Sequence, residues 1–472
     1  MKTVKQLALA VALACAAAGA QAAATITIIN INAAGEGFND PTPIAPVGGN
    51  PGTTLGQQRL IAFQHAADIW GATLTSTVPV RVAASFVSLS CTASSAVLGS
   101  AGAYEVFSDF PGALKPRTWY PGALAAKLAG ADQSAPTDPH LVARFNSRLG
   151  LFPDCLPGSA FYLGLDNNAG GQIDLVTVLL HELGHGLGFQ TFTDGSTGEQ
   201  INGIPSVWDH YLVDNRSNKP WAGMTNAERV ASALSGKGLS WNGAGVTAAV
   251  PDVLSPMSTL LVSGAASGPA AGNYEVGDAS FGPPLGSTPV VGQLMPVIDQ
   301  ATATGLACTP LSAANQLAVR GNVALVDRGV CTFVEKAKNV QNAGAIAMVV
   351  ADNAPGDVTG LGGADPTVVI PAVRVSQASG VTLKEALARR SRGMSGVVAS
   401  LGVNPAQLAG ADAASRIRMY SPSDYSPGSS VSHYSTDAKR NQLMEPSING
   451  DLVHSVTAPA DLTFQLLKDI GW

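Results

Sequence analysis

The chain of 472 residues is long enough for two or three domains, each with its own core. Apolar residues make up 46% and charged residues 13%, with 52 glycines and 30 prolines, which describes a loop-rich globular protein and excludes a disordered one. A net charge of −6 without any run of like charges offers nothing for nucleic acid or an anionic membrane to grip.

Lys2 and Lys5 precede an apolar run from Leu7 to Ala18, and Ala20-Gln21-Ala22 follows. This is the layout of a signal peptide over residues 1–22, too short to span a bilayer, so export to the periplasm or the medium is expected. Its removal leaves Cys91, Cys155, Cys308 and Cys331, an even number in an exported chain, and disulfides are their expected use. Neighbourhood in sequence favours Cys91 with Cys155 and Cys308 with Cys331, although four cysteines permit three connectivities.

The β-branched run Thr25–Asn32 reads as a strand and leaves no room for a folded propeptide after the signal. Gly35–Gly56 reads as loop, and Leu60, Ile61, Phe63, Ala66, Ala67 and Trp70 mark an amphipathic helix, with His65 on it in a structural role. Strands are expected at Val78–Leu89 and, after a stretch of loose pattern, at Leu141–Ser147. Phe161–Gly164 then leads through an Asp/Asn/Gly loop at 166–171, and a strand at that place could pair with an extended peptide.

The stretch Ile173–Phe189 reads as a buried helix with Asp174 in its first turn. His181 and His185, four residues apart, stand roughly 40° apart around a helix axis and leave the same face, where two imidazoles can grip one metal ion. Glu182 is placed to hydrogen-bond a water on that metal, and glycines 186 and 188 let the chain turn away. A zinc hydrolase follows, but a catalytic zinc usually takes three protein ligands. The compact spacing would put the third at position 191, which is Thr191, a poor ligand. Asp194, Glu199, Asp209, His210, His433 and His454 are the remaining candidates.

Three segments together, H-E-x-x-H-x-x-G at 181–188, Ser432-His433 and Leu443-Met444-Glu445-Pro446, resemble the leishmanolysin-like branch of the metzincin metallopeptidases. The resemblance implies that His181, His185 and His433 bind one Zn2+, that Glu182 is the general base, and that Met444 forms a methionine turn beneath the metal. It further implies a twisted sheet with an active-site helix, a C-terminal subdomain closed by a helix over Asp461–Ile470, and internal cleavage of a protein or peptide substrate. The sequence does not name a second oxyanion donor, though Tyr434 is available. Structural Ca2+ is conceivable near the Asp/Asn-rich loops, but no loop motif for it is present.

Between 266 and 402, an apolar run at 321–327, a helical segment Phe333–Asn342 and a second apolar run ending near Asn353 read as strand, helix, strand. The signature Asp327-Arg328-Gly329-Val330-Cys331-Thr332-Phe333 and the later Ile370-Pro371-Ala372-Val373 resemble a protease-associated (PA) domain, which carries no chemistry of its own. The expected fold is therefore α+β: a metzincin-like catalytic domain at 23–265 and 403–472, interrupted by an α/β PA domain at 266–402. A monomer without a transmembrane segment or nucleic-acid partner is expected. The rival reading is a secreted PA-domain binding protein whose zinc site does no chemistry.

Overall fold

The structure, a computed structural model, describes residues 23–298, 305–356 and 358–472, and the signal-peptide reading of residues 1–22 lies outside them. Two compact units are present: the chain up to Leu254 together with Gly410–Trp472, and Ser255–Ala409. The architecture mixes helices and strands throughout.

In the first unit, β1 (Ile26–Asn30) pairs parallel to β2 (Val80–Val87), and β2 pairs parallel to the strand Leu141–Asn146. β3 (Gly99–Ala103) adds antiparallel to that strand, here β4, and closes the sheet in the order β1-β2-β4-β3. Val80, Val82, Ala83, Ala84 and Phe86 of β2 are all buried, the continuous burial of a parallel strand covered on both faces. Helix α1 (Leu55–Thr73) packs on this sheet. Thr54 caps its start by accepting the Gln57 N–H at 3.3 Å, and its buried stripe is Phe63, Ala66, Ala67 and Trp70, the helical period read from sequence. Leu60 is 38% exposed, so it sits at the edge of that stripe.

Phe38, Phe63, Phe86 and Phe145 meet under the sheet with ring centroids 5.2–5.9 Å apart. Phe63 touches two of these rings, and truncating it to alanine costs about 3–5 kcal/mol by cavity formation. Trp70, fully buried, donates its indole N–H to the Leu180 carbonyl at 3.1 Å and so ties α1 to the helix that carries the histidine pair.

The second unit is built on an eight-stranded sheet. Its strands run in the order Gly272–Glu275, Pro256–Ser263, Val398–Leu408, Val290–Pro296, Val323–Asp327, Ala347–Ala351, Ala372–Val375 and Gly277–Asp278. The four strands from Val290–Pro296 to Ala372–Val375 are parallel, and apolar clusters cover both faces, which is why their sequences run apolar without alternation. Helix Phe333–Asn342 lies between two of them, started by a capping box of Thr332 and Glu335. Pro256–Ser263 and Val398–Leu408 pair along their lengths, so the unit extends past both composition shifts, at 266 and 402. Among the described residues no helix is long and apolar enough to cross a membrane.

Candidate active site

Helix α2 (Leu175–Leu187) carries the motif, and all thirteen of its residues are buried. Asp174 lies outside the first turn where the sequence placed it. It is the N-cap, ending a short strand that pairs with Phe161–Tyr162, and its Oδ1 accepts the Thr177 N–H at 2.8 Å. At the other end Gly188 adopts φ +127°, where an added Cβ would come within 2.9 Å of Ile470 Cδ1. That turn delivers the Phe189 carbonyl to His185 Nδ1, 2.8 Å away.

His433 arrives from the other end of the first unit, on an irregular segment where Val431 takes φ +71°. The three imidazoles are oriented alike: His181 Nδ1 faces the Leu443 carbonyl at 2.7 Å, His185 Nδ1 that of Phe189, and His433 Nδ1 that of Ser429 at 2.9 Å. A carbonyl only accepts, so each Nδ1 carries the proton and each Nε2 is left with a free lone pair. These Nε2 atoms converge, 3.2 Å apart between His185 and each of the others and 3.3 Å between His181 and His433. Nitrogens about 2.0–2.1 Å from a shared tetrahedral centre stand roughly 3.3–3.4 Å apart, so the cluster has the shape that a zinc ion requires. Burial holds the imidazoles neutral, pushing His181 down to about 4, His185 to about 3 and His433 well below the ordinary histidine range. Neutral imidazoles with inward lone pairs repel one another unless a cation sits among them.

Glu182 follows His181 on the helix, 6% exposed, and burial pushes its carboxyl up to about 8, opposed by a backbone hydrogen bond from Ala101 of β3. Gly99 makes this possible: a Cβ there would lie 2.8 Å from Glu182 Oε1. Met444 lies under α2, its Sδ 2.9 Å from where a Cβ on Gly184 would be. Its segment is pinned by Leu443 N–H to Asp461 Oδ2 at 2.7 Å and by Tyr434 N–H to the Met444 carbonyl at 2.8 Å. Trp472 donates its indole N–H to the Leu187 carbonyl at 2.7 Å, so the terminal helix, Thr463–Ile470, closes against the end of α2.

A cleft of about 1120 Å³ opens over the three histidines and Glu182, with Gly99–Ala101 of β3 on one wall and Tyr425 and Glu445 on others. Among the described residues, His181, His185 and His433 are the cluster of three or more His, Cys, Asp or Glu side chains close enough to hold one ion. The other candidates stand elsewhere. His454 Nε2 bonds Asp174 at 2.9 Å, His210 Nε2 bonds Thr118 at 3.0 Å, and His65 packs edge-on against His454. Asp194 and Glu199 are exposed, and Asp209 is buried among hydroxyls.

Tyr434 is fully buried against Phe189 at 4.9 Å between ring centroids, behind the cleft and not in it, so it is no oxyanion donor. Sequence reasoning missed both β3 and Tyr425 as cleft walls. Gly-Ser-Ala-Gly-Ala carries no β-branched or aromatic residue to mark a strand. The cysteines are joined Cys91–Cys155 and Cys308–Cys331, the connectivity that neighbourhood favoured.

Among known proteins, a stretch of 100 residues is 37% identical to the Probable lipoprotein aminopeptidase LpqL of Mycobacterium tuberculosis, covering 21% of this chain and 19% of the relative. Another of 80 residues is 41% identical to a receptor homology region, transmembrane domain- and RING domain-containing protein of Oryza sativa subsp. japonica, covering 17% and 15%. The chain thus spans a fifth or less of the length of these curated relatives. A solved zinc aminopeptidase from Bacillus subtilis aligns at 21% identity over 34% of this chain and 36% of its own, with a TM-score of 0.22, too low to argue from. Residues 290–383 match the PA domain family, and the second unit therefore contains a PA domain.

Proposed function

We propose that the protein is an exported zinc peptidase of the leishmanolysin-like metzincin type, with His181, His185 and His433 as metal ligands and Glu182 as general base. The observation that carries this reading is the convergence of three Nε2 lone pairs within 3.3 Å beside a buried carboxylate. A PA domain in the same chain and curated relatives named as aminopeptidases support a peptide substrate. The methionine beneath α2 and the distant third histidine support the branch.

Bound by the three imidazoles, zinc would supply Lewis acidity to a peptide carbonyl and to an attacking water. Glu182 takes the proton of that water and hands it to the leaving amine, and its burial keeps the carboxyl basic enough to do both. β3 is the edge of its sheet and borders the cleft, so an extended substrate can add to it as a further strand, with backbone bonds that ignore side-chain identity. This moves the expected pairing site from Phe161–Gly164 to β3. A cleft open along a strand edge favours internal cleavage over removal of a terminal residue.

The test measures bound metal together with cleavage of an unfolded protein and of a peptide blocked at both ends. Wild type should hold one zinc and cut both substrates, Glu182→Ala should keep zinc and lose cleavage, and His433→Ala should lose both. Zinc without cleavage of any substrate in a broad panel would instead favour a PA-domain binding protein. Cleavage confined to substrates with a free amino terminus would overturn the endopeptidase reading.

A further inference from the structure

Thr191 stands where the compact spacing would set a third histidine, and what surrounds it is a hydrogen-bonded cluster centred on Asp209. That carboxylate is fully buried. Oδ1 accepts the Thr191 hydroxyl at 2.7 Å, and Oδ2 accepts the Thr193 hydroxyl at 2.6 Å and the Ser206 N–H at 2.9 Å. Thr193 N–H in turn donates to Thr191 Oγ1 at 3.0 Å. Thr191 N–H donates to Ser432 Oγ at 3.2 Å, and Ser432 is the residue before His433. The buried guanidinium of Arg229 acts on the carboxylate through space.

A buried carboxylate is costly unless its lone pairs are met, and here two of its three donors, the Thr191 and Thr193 hydroxyls, come from the segment that leaves α2. That segment begins at Phe189, whose carbonyl orients His185, and through Thr191 it grips the loop bearing His433. We propose that Asp209 is a positioning residue for the histidine cluster: it stiffens residues 189–193 and, through Thr191 and Ser432, sets His433 against the end of α2. Position 191 thus carries a clamp on the third ligand. This rests on the reading of the cluster as a zinc site.

The experiment titrates zinc into metal-depleted protein against a chromogenic chelator, for wild type, Ser432→Ala, Asp209→Asn and Asp209→Ala, with the thermal midpoint of each metal-free protein and kcat and KM at saturating zinc. Ser432→Ala removes one bond at the loop and should weaken zinc roughly 10-fold with an unchanged metal-free midpoint; Asp209→Ala should weaken it roughly 100-fold. Asp209→Asn should fall between, since an amide oxygen still serves Ser206 and Thr193 while the Thr191 hydroxyl can rotate to accept. Excess zinc should restore kcat, with KM unmoved. Should Asp209→Ala fail to fold, Ser432→Ala decides. Wild-type zinc affinity in both Ser432→Ala and Asp209→Asn would overturn the clamp while leaving the metal site standing. A wild type that takes up no zinc would overturn the metal reading itself.

Discussion

His181 Nδ1 lies 2.7 Å from the Leu443 carbonyl, 262 residues further along the chain. Leu443 and Met444 are neighbours, so the sulfur under α2 and the carbonyl that orients the first histidine move together. Gly184→Ala would drive a methyl group into Met444 Sδ, displace that carbonyl and weaken zinc roughly 10-fold. Combining it with Met444→Ala removes the clash, so a double-mutant cycle should give strong favourable coupling. Additive losses in zinc titrations would show that the two positions act independently.

Gly99 occupies the space beside the Glu182 carboxylate, and Gly99→Ala would place a methyl 2.8 Å from Oε1. β3 is an edge strand, so the backbone can shift to admit the methyl without unfolding the unit. Under the proposed mechanism, displacing the Glu182 carboxylate by about 1 Å should cost about 10²-fold in kcat, with zinc content unchanged. Steady-state kinetics beside metal analysis checks this; an unaltered kcat would mean that Glu182 does not depend on β3 for its position.

The Cys91–Cys155 bridge closes a loop of 64 residues by sequence separation, and both Ser95–Leu98 and Leu156 beside it line the cleft. The Cys308–Cys331 bridge spans 23. Chain entropy alone gives roughly 4 kcal/mol for the longer loop and roughly 3 for the shorter. Replacing Cys91 and Cys155 by serine should lower the thermal midpoint and also raise KM, as the cleft rim loosens. Differential scanning calorimetry and peptide kinetics on the double variant read both effects.

Glu445 is a buried carboxyl next to Met444, and burial pushes it up to about 8 despite hydrogen bonds from Gln442 N–H at 2.8 Å and Asn449 Nδ2 at 3.0 Å. The folded protein therefore holds a proton that the unfolded chain releases near pH 4.5. Its stabilising effect is complete below that value and is lost as pH rises toward 8, with a slope of at most about 1.4 kcal/mol per pH unit. Glu445→Gln should flatten this decline in urea midpoints taken from pH 5 to 8. Parallel curves for wild type and variant would show that the carboxyl titrates normally.

How much of this was legible follows from where local pattern and tertiary context agree. α2 announced itself because its apolar run, its histidine pair and its ending glycine all act within one stretch, and the strand–helix–strand unit around Phe333–Asn342 did so because its apolar runs and helical segment are likewise local. β3 stayed hidden since small residues carry no strand preference, and only its pairing with β4 makes it one. His433 is a histidine in a Ser/Gly-rich loop, with nothing in its neighbourhood to mark it; a resemblance singled it out, and the fold brings its Nε2 to 3.2 Å from that of His185. The compact second unit, Ser255–Ala409, is wider than the composition shifts at 266 and 402 because Pro256–Ser263 finds its partner only in the distant Val398–Leu408. Asp209 could be read as a candidate ligand, and only its hydroxyl neighbours show a different use.

The order of the chain has a consequence in time. Two of the histidines lie before residue 186 and the third at 433, with a separately compact unit of 155 residues emerging between them. A ribosome synthesising some 5–20 residues each second thus spends roughly 10–50 s between His185 and His433. Throughout that interval the nascent polypeptide has His181, Glu182 and His185 but lacks His433, Met444 and the Leu443 carbonyl that faces His181 Nδ1. Under the proposed reading, the metal site and any cleavage that depends on it wait until His433 has been made, 248 residues after His185.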